Sequence, residues 1–159
     1  MLLETPRLIL RPWADSDIDD YRELIAERGD GIPSLATVRE KIAAQHAQAS
    51  NAGIALLAIH RRGDGNFIGY CGLTIGRATL EEPEIAYELL RREWGQGQAT
   101  EAAQAVVEAA RATGRARLWA TIRTWNVRSL RVIEKLGFHR DRSSVDDRGD
   151  LVWMTRALK

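Results

Sequence analysis

The chain has little of what would make it a disulfide-bonded, metal-binding or membrane-spanning protein. Cys71 is its only cysteine, which excludes an internal disulfide. Its histidines, His46, His60 and His139, lie far apart, and neither HExxH nor CxxC occurs, so no metal is expected. No apolar run approaches the roughly 20 residues that cross a bilayer. Glu4, Pro6 and Arg7 interrupt the N-terminal MLLETPRLILRPW and exclude a signal-peptide core there. A soluble cytoplasmic protein with no membrane partner is expected. A large charge of one sign is also missing: the net charge is +1, which argues against a protein that coats nucleic acid. The phosphate-binding patterns GxxxxGK[ST] and GxGxxG are absent. So are internal repeats and low-complexity linkers.

What remains is ordinary globular material. Hydrophobic residues make up 45% of the 159 positions and charged residues 28%, enough for one domain over 1–159 with its own core. RLILR, 7–11, reads as a strand. Asp15 and Ser16 can cap a helix to about Arg28 that turns Ile18, Tyr21, Leu24 and Ile25 to one side. Ser34 opens a second helix with Leu35, Val38, Ile42 and Ala43 at helical spacing, ended at Asn51–Gly53. Strands follow at 54–60 and 67–75 around an Asp64-Gly65 turn. EIAYELL, 84–90, alternates, with Ile85, Tyr87 and Leu89 opposed to Glu84, Ala86 and Glu88. A helix to about Thr113, a strand over 117–124, a helix capped by Asn126 and stopped by Gly137, and two closing strands complete the chain. The order β-α-α-β-β-β-α-β-α-β-β predicts an α/β (α+β) fold. It has a single mixed central sheet of about seven strands flanked by four helices.

The most informative stretch is RREWGQGQATEAAQ, 91–104, where two glycines lead directly into an alanine-rich helix. The first turn of a helix has N–H groups without intrahelical partners and carries partial positive charge. Small residues at 95, 97 and 99 would let a pyrophosphate approach those groups. A tight strand-to-helix turn explains the same glycines equally well. Between 91 and 142 eleven Arg and Lys face five Asp and Glu. This is either a solvated surface or the basic rim of a polyanionic ligand site.

Three segments together resemble the GNAT superfamily, the N-acetyltransferases that use acetyl-CoA, and its RimJ/RimL-like branch. They are LETPRLILRPW at the start, EIAYELL before the glycine loop, and TWNVRSLRVIEKLGF at 124–138. The family's pyrophosphate-loop pattern, (Q/R)-x-x-G-x-(G/A), is matched by Arg92, Gly95 and Gly97. The resemblance implies the GNAT fold and acetyl-CoA as co-substrate. It implies a coenzyme site made of the Leu89 and Leu90 backbone, Arg92, the Gly95–Thr100 loop with Gln96, Gly97, Ala99 and Thr100, and Asn126 on the pantetheine arm. Arg131, with Arg128 and Lys135, is placed to meet the 3′-phosphate.

Acetyl transfer to an amine needs a proton acceptor for the amine, N–H donors for the oxyanion and a proton for the departing thiolate. By the resemblance, Glu84 is the expected base, the Leu89 and Leu90 N–H groups are the oxyanion donors, and Ser129 protonates the sulfur. Glu88 stands about 13 Å from Glu84 along the strand and is a candidate for binding the amine. Trp94, with Trp13, Tyr87 and Trp125, is a candidate lining of the acceptor cleft. Cys71 reads as a buried strand residue. The expected partners are acetyl-CoA and a primary amine, a protein N-terminal α-amine or a small molecule, in a direct ternary-complex transfer. The chain is expected to act as a monomer or homodimer, without nucleic acid. The alternative is a non-catalytic acyl-CoA-binding or regulatory module of the same fold.

Overall fold

Period-two strands and short amphipathic helices assemble into one mixed sheet with helices on both faces in the computed structural model, which describes residues 1–159. In chain order the elements are β1 (Leu3–Glu4), β2 (Leu8–Arg11), α1 (Ile18–Ala26), α2 (Leu35–Ala52), β3 (Leu56–Arg61), β4 (Phe67–Thr74), β5 (Glu84–Leu89), α3 (Gln98–Ala112), β6 (Arg117–Arg123), α4 (Val127–Lys135), β7 (His139–Asp146) and β8 (Gly149–Ala157). The sheet runs β1-β2-β3-β4-β5-β6-β8-β7. It has eight strands because the N-terminal segment, interrupted at Pro6, folds back as a short antiparallel pair with Leu3 opposite Leu10. Every neighbouring pair is antiparallel except β5 and β6.

The two sheet faces are covered unequally. On one, Leu8, Leu10, Ile59, Ile85 and Leu89 meet Ala102, Ala103, Val106, Val107 and Ala110 of α3 and Ile133 of α4 in a cluster of 24 buried residues. Alanines along α3 let the helix axis approach the strands closely. On the other, α1 and α2 cover a smaller core of nine residues, in which Trp13 stacks on Tyr21 at 4.1 Å. That core includes no residue beyond Leu90. The half-sheet of β6, β8 and β7 therefore presents Trp119, Trp153 and Arg142 on a face without a helix; Arg142 lies 4.1 Å over the Trp153 ring.

Two local expectations fail for physical reasons. Residues 15–17 form a 3-10 turn before α1, and neither Asp15 nor Ser16 caps the helix. Asp17 turns inward instead, 1% exposed, and binds Arg11, the Ala14 N–H and His60. In α2 only Val38 and Ile42 are buried, because the helix rests on the sheet along a narrow stripe that leaves Leu35 and Ala43 in solvent. The Ser34 and Asn126 caps form as their types require, accepting from the Thr37 and Ser129 N–H groups.

Candidate active site

The site begins where the sheet opens. β5 and β6 share a single bridge, Glu84 opposite Trp119, with Trp119 N–H donating to the Pro83 carbonyl. Beyond it the strands separate. The Leu90 N–H donates to Ile68 of β4 at 2.9 Å, so even-numbered residues of β5 pair with β4 and odd-numbered ones face the gap. The Ile85 carbonyl, both backbone groups of Tyr87 and the Leu89 N–H therefore line the opening without a strand partner. This corrects one expectation: the Leu90 N–H is bonded into the sheet and is not a free donor.

The glycine loop closes the upper end of this gap. Gly95 and Gly97 both have positive φ, 78° and 76°, a conformation that disfavours any side chain. Gly97 is the N-cap of α3 and supplies no side-chain acceptor. The first bond of the helix runs from Glu101 N–H to the Gly97 carbonyl. The N–H groups of Gln98, Ala99 and Thr100 are thus left at the positive end of α3.

The loop is held from beneath by residues that sequence reasoning missed. Glu93 and Gln98 are buried; Gln98 donates to the Glu93 carbonyl and carboxylate, and Arg61 completes the pair. Arg7, just before β2, binds Glu101 at 2.7 Å and the Gln96 carbonyl at 3.0 Å, and the Arg7 N–H and Thr5 hydroxyl also reach Glu101. Burial alone would raise the Glu101 pKa, but the Thr5 and Arg7 bonds outweigh it and hold that carboxyl below its ordinary range. These partners are 94 residues apart in sequence, and no local pattern announces them. Arg92, expected at the pyrophosphate, turns to the opposite face and binds Glu23 of α1 at 2.7 Å.

Across the gap, the first turn of α4 carries Ser129, whose carbonyl accepts from the Tyr87 hydroxyl at 2.8 Å. Burial raises the Tyr87 pKa and keeps that hydroxyl a donor. Arg128 stacks over Trp94 at 4.6 Å, and the Trp94 indole donates to the Leu89 carbonyl at 3.0 Å. Trp94 therefore belongs to the mouth of the gap. The four aromatic residues expected in one cleft are dispersed. Trp13 is buried under α1 and α2, Trp125 is in solvent, and Tyr87 points toward α4. Arg131 lies exposed on α4.

The other face of β5 carries the two carboxylates. Glu88 is bound by Arg28 at the end of α1 through contacts of 2.6–3.1 Å, which hold the guanidinium firmly protonated. Beside it Tyr70 has its pKa raised by burial and by the Glu88 charge. Glu84, expected as the base, is 5% exposed, and its carboxylate accepts from the Arg77 N–H, the Thr121 N–H and the Thr121 hydroxyl. Cys71 is fully buried in β4, and burial raises its thiol pKa away from the reactive range. No group of three or more His, Cys, Asp or Glu is placed to hold a metal ion, and no helix is long and apolar enough to cross a membrane.

A parallel strand pair that opens beside an uncapped, glycine-initiated helix is the arrangement that the GNAT resemblance implies. Residues 7–139 match the acetyltransferase (GNAT) domain family. The chain belongs to the GNAT acetyltransferases. It is 31% identical over 149 residues to YkkB, an uncharacterized protein of Bacillus subtilis (strain 168), covering 86% of this chain and 84% of that one. The crystal structure of an acetyltransferase from Agrobacterium tumefaciens str. C58 is 28% identical and superposes with a TM-score of 0.82 over 98% of this chain and 94% of that one. RimL, a ribosomal L7/L12 α-N-protein acetyltransferase solved with coenzyme A, shares the fold with a TM-score of 0.85 at 15% identity, over 99% and 98% of the two chains. In this GNAT enzyme the elements that carry the expected coenzyme contacts, β5, the glycine loop and α4, surround one opening.

Proposed function

We propose that the protein transfers an acetyl group from acetyl-CoA to a primary amine by direct attack in a ternary complex. The observation that carries this reading is the unpaired backbone of β5 lying between the free N–H groups of α3 and the first turn of α4. Pyrophosphate would meet the N–H groups of residues 98–100, with pantetheine along the Ile85 and Tyr87 backbone. RimL, a neighbour in fold, is described with coenzyme A bound, which fits this assignment.

The acceptor enters from the opposite face, beside Glu88 and Arg28. Glu88 orients the incoming amine, and water at that carboxylate takes its proton. The Leu89 N–H donates to the oxygen that gains charge as nitrogen attacks the thioester carbon. Ser129 offers its hydroxyl proton to the sulfur as the carbon–sulfur bond breaks, and regains a proton from solvent. Glu84 has no part in these steps. With Glu88 held in an ion pair, the site favours amines that are already neutral near pH 8. Protein and peptide α-amines, with pKa values of about 8, suit it better than ε-amines near 10.

Release of free coenzyme A thiol from acetyl-CoA, across peptides with free Ala, Ser or Met N-termini, polyamines, amino acids and aminoglycosides, tests this function. Turnover with one acceptor class, the α-amine peptides foremost, is expected. Coenzyme binding with silence across the panel would support the non-catalytic module instead.

A further inference from the structure

The hydrogen bonds of Glu84 explain why the sheet opens where it does. In a parallel ladder that bridges at Glu84 and Trp119, the next rung would run from the Thr121 N–H to the Ile85 carbonyl, and the one after from the Tyr87 N–H to the Thr121 carbonyl. Neither forms. The Thr121 N–H donates to the Glu84 carboxylate at 3.1 Å, and the Thr121 hydroxyl donates to the same oxygen. The second carboxylate oxygen accepts from the Arg77 N–H in the turn after β4. That turn passes through Gly76 at φ 54°, and a Cβ at Gly76 would collide with the same oxygen. The fold thus leaves space for the carboxylate and supplies three donors to it.

We propose that Glu84 is a positioning residue that ends the β5–β6 ladder, its carboxylate taking the rung that the Ile85 carbonyl would otherwise fill. Termination at this rung leaves the Ile85 carbonyl, the Tyr87 backbone and the Leu89 N–H free to meet the pantetheine arm, an assignment that rests on the acetyl-CoA reading above. A carboxylate on this residue suits the task. It is negatively charged, reaches across one strand spacing and satisfies several N–H and O–H donors at once. Removing it would let the Thr121 N–H pair with Ile85 and close the slot by one rung.

The test compares Glu84→Ala and Glu84→Gln in two measurements. Without ligand, amide hydrogen exchange at Tyr87 should slow in Glu84→Ala, because its N–H gains the Thr121 carbonyl. This readout does not depend on the coenzyme, so it separates failure of the inference from failure of the acetyl-CoA reading. With acetyl-CoA, Glu84→Ala should raise the coenzyme KM about tenfold with a smaller effect on kcat. Glu84→Gln, which keeps an acceptor oxygen for Thr121, should recover at least half of that loss. If Glu84→Ala does not fold, Thr121→Val removes one donor and should raise the coenzyme KM in the same direction with kcat unchanged. A Tyr87 amide that exchanges as fast in Glu84→Ala as in the parent would overturn the inference. So would a Glu84→Gln enzyme that loses kcat as completely as Glu84→Ala at unaltered coenzyme affinity, the behaviour of a general base.

Discussion

Arg7, just before β2, and Glu101 in the first turn of α3 form a 2.7 Å ion pair, and the same guanidinium continues to the Gln96 carbonyl at 3.0 Å. The N-terminal strand pair is thereby fastened to the glycine loop. Arg7→Ala and Glu101→Gln should each weaken coenzyme A binding about fivefold to tenfold by loosening the loop, without unfolding the sheet. Calorimetric titration checks this, and unaltered affinity in both variants would show that the latch is unrelated to the coenzyme.

Gly97→Val places a β-branched residue at φ 76°, where such side chains are strongly disfavoured. The loop must move or the backbone must strain. The expected result is loss of coenzyme affinity by at least about tenfold, at a stability cost of roughly 1–3 kcal/mol. Coenzyme binding that survives intact would put the pyrophosphate elsewhere on the molecule.

In the proposed mechanism Glu88 and Arg28 act on the acceptor rather than the coenzyme. Glu88→Gln should raise the acceptor KM and leave the affinity for coenzyme A unchanged. The pH dependence of kcat/KM should follow the acceptor, rising through about pH 8 for an α-amine and about pH 10 for an ε-amine. A limb fixed at one acidic pH for every acceptor would instead identify a protein carboxylate as the proton acceptor.

Asp17 gives the fold an acid-sensitive element. Burial would raise its pKa, but the bonds from His60, Arg11 and the Ala14 N–H prevail and hold the carboxyl below its ordinary value. A depressed pKa contributes stability that is present above the unfolded value, near 4, and lost as pH falls through the folded one. Asp17→Asn should cost about 3 kcal/mol at pH 7, since it leaves Arg11 and His60 without their carboxylate. The difference from the parent should shrink below pH 4. Chemical denaturation at both pH values measures it; an equal difference at pH 7 and pH 3 would contradict the assignment.

Local signals were legible in the sequence, and non-local ones were not. The Ser34 and Asn126 caps, the turn at Gly65, the alternation of EIAYELL and the glycine loop each depend on neighbours within a few residues, and each reads directly. The roles of Arg92 and Glu84 depend on what lies across the fold. Arg92 fits a motif by type, yet Glu23 of α1 draws it to the opposite face. Glu84 looks like a base in a strand, yet Thr121 and Arg77 surround its carboxylate. The latch of Arg7 on Glu101 joins residues 94 apart in sequence, and that spacing carries no periodic signal. The open half-sheet likewise follows from how far α1 and α2 reach, which hydrophobic pattern does not encode.

Amide hydrogen exchange at Tyr87 and Leu89, with and without acetyl-CoA, tests most directly whether the coenzyme lies along the open edge of β5. These two N–H groups face the β5–β6 gap beyond its single bridge, so rapid exchange is expected in the free protein and clear protection once acetyl-CoA is bound. Protection confined to other parts of the chain, with Tyr87 and Leu89 unchanged, would contradict it.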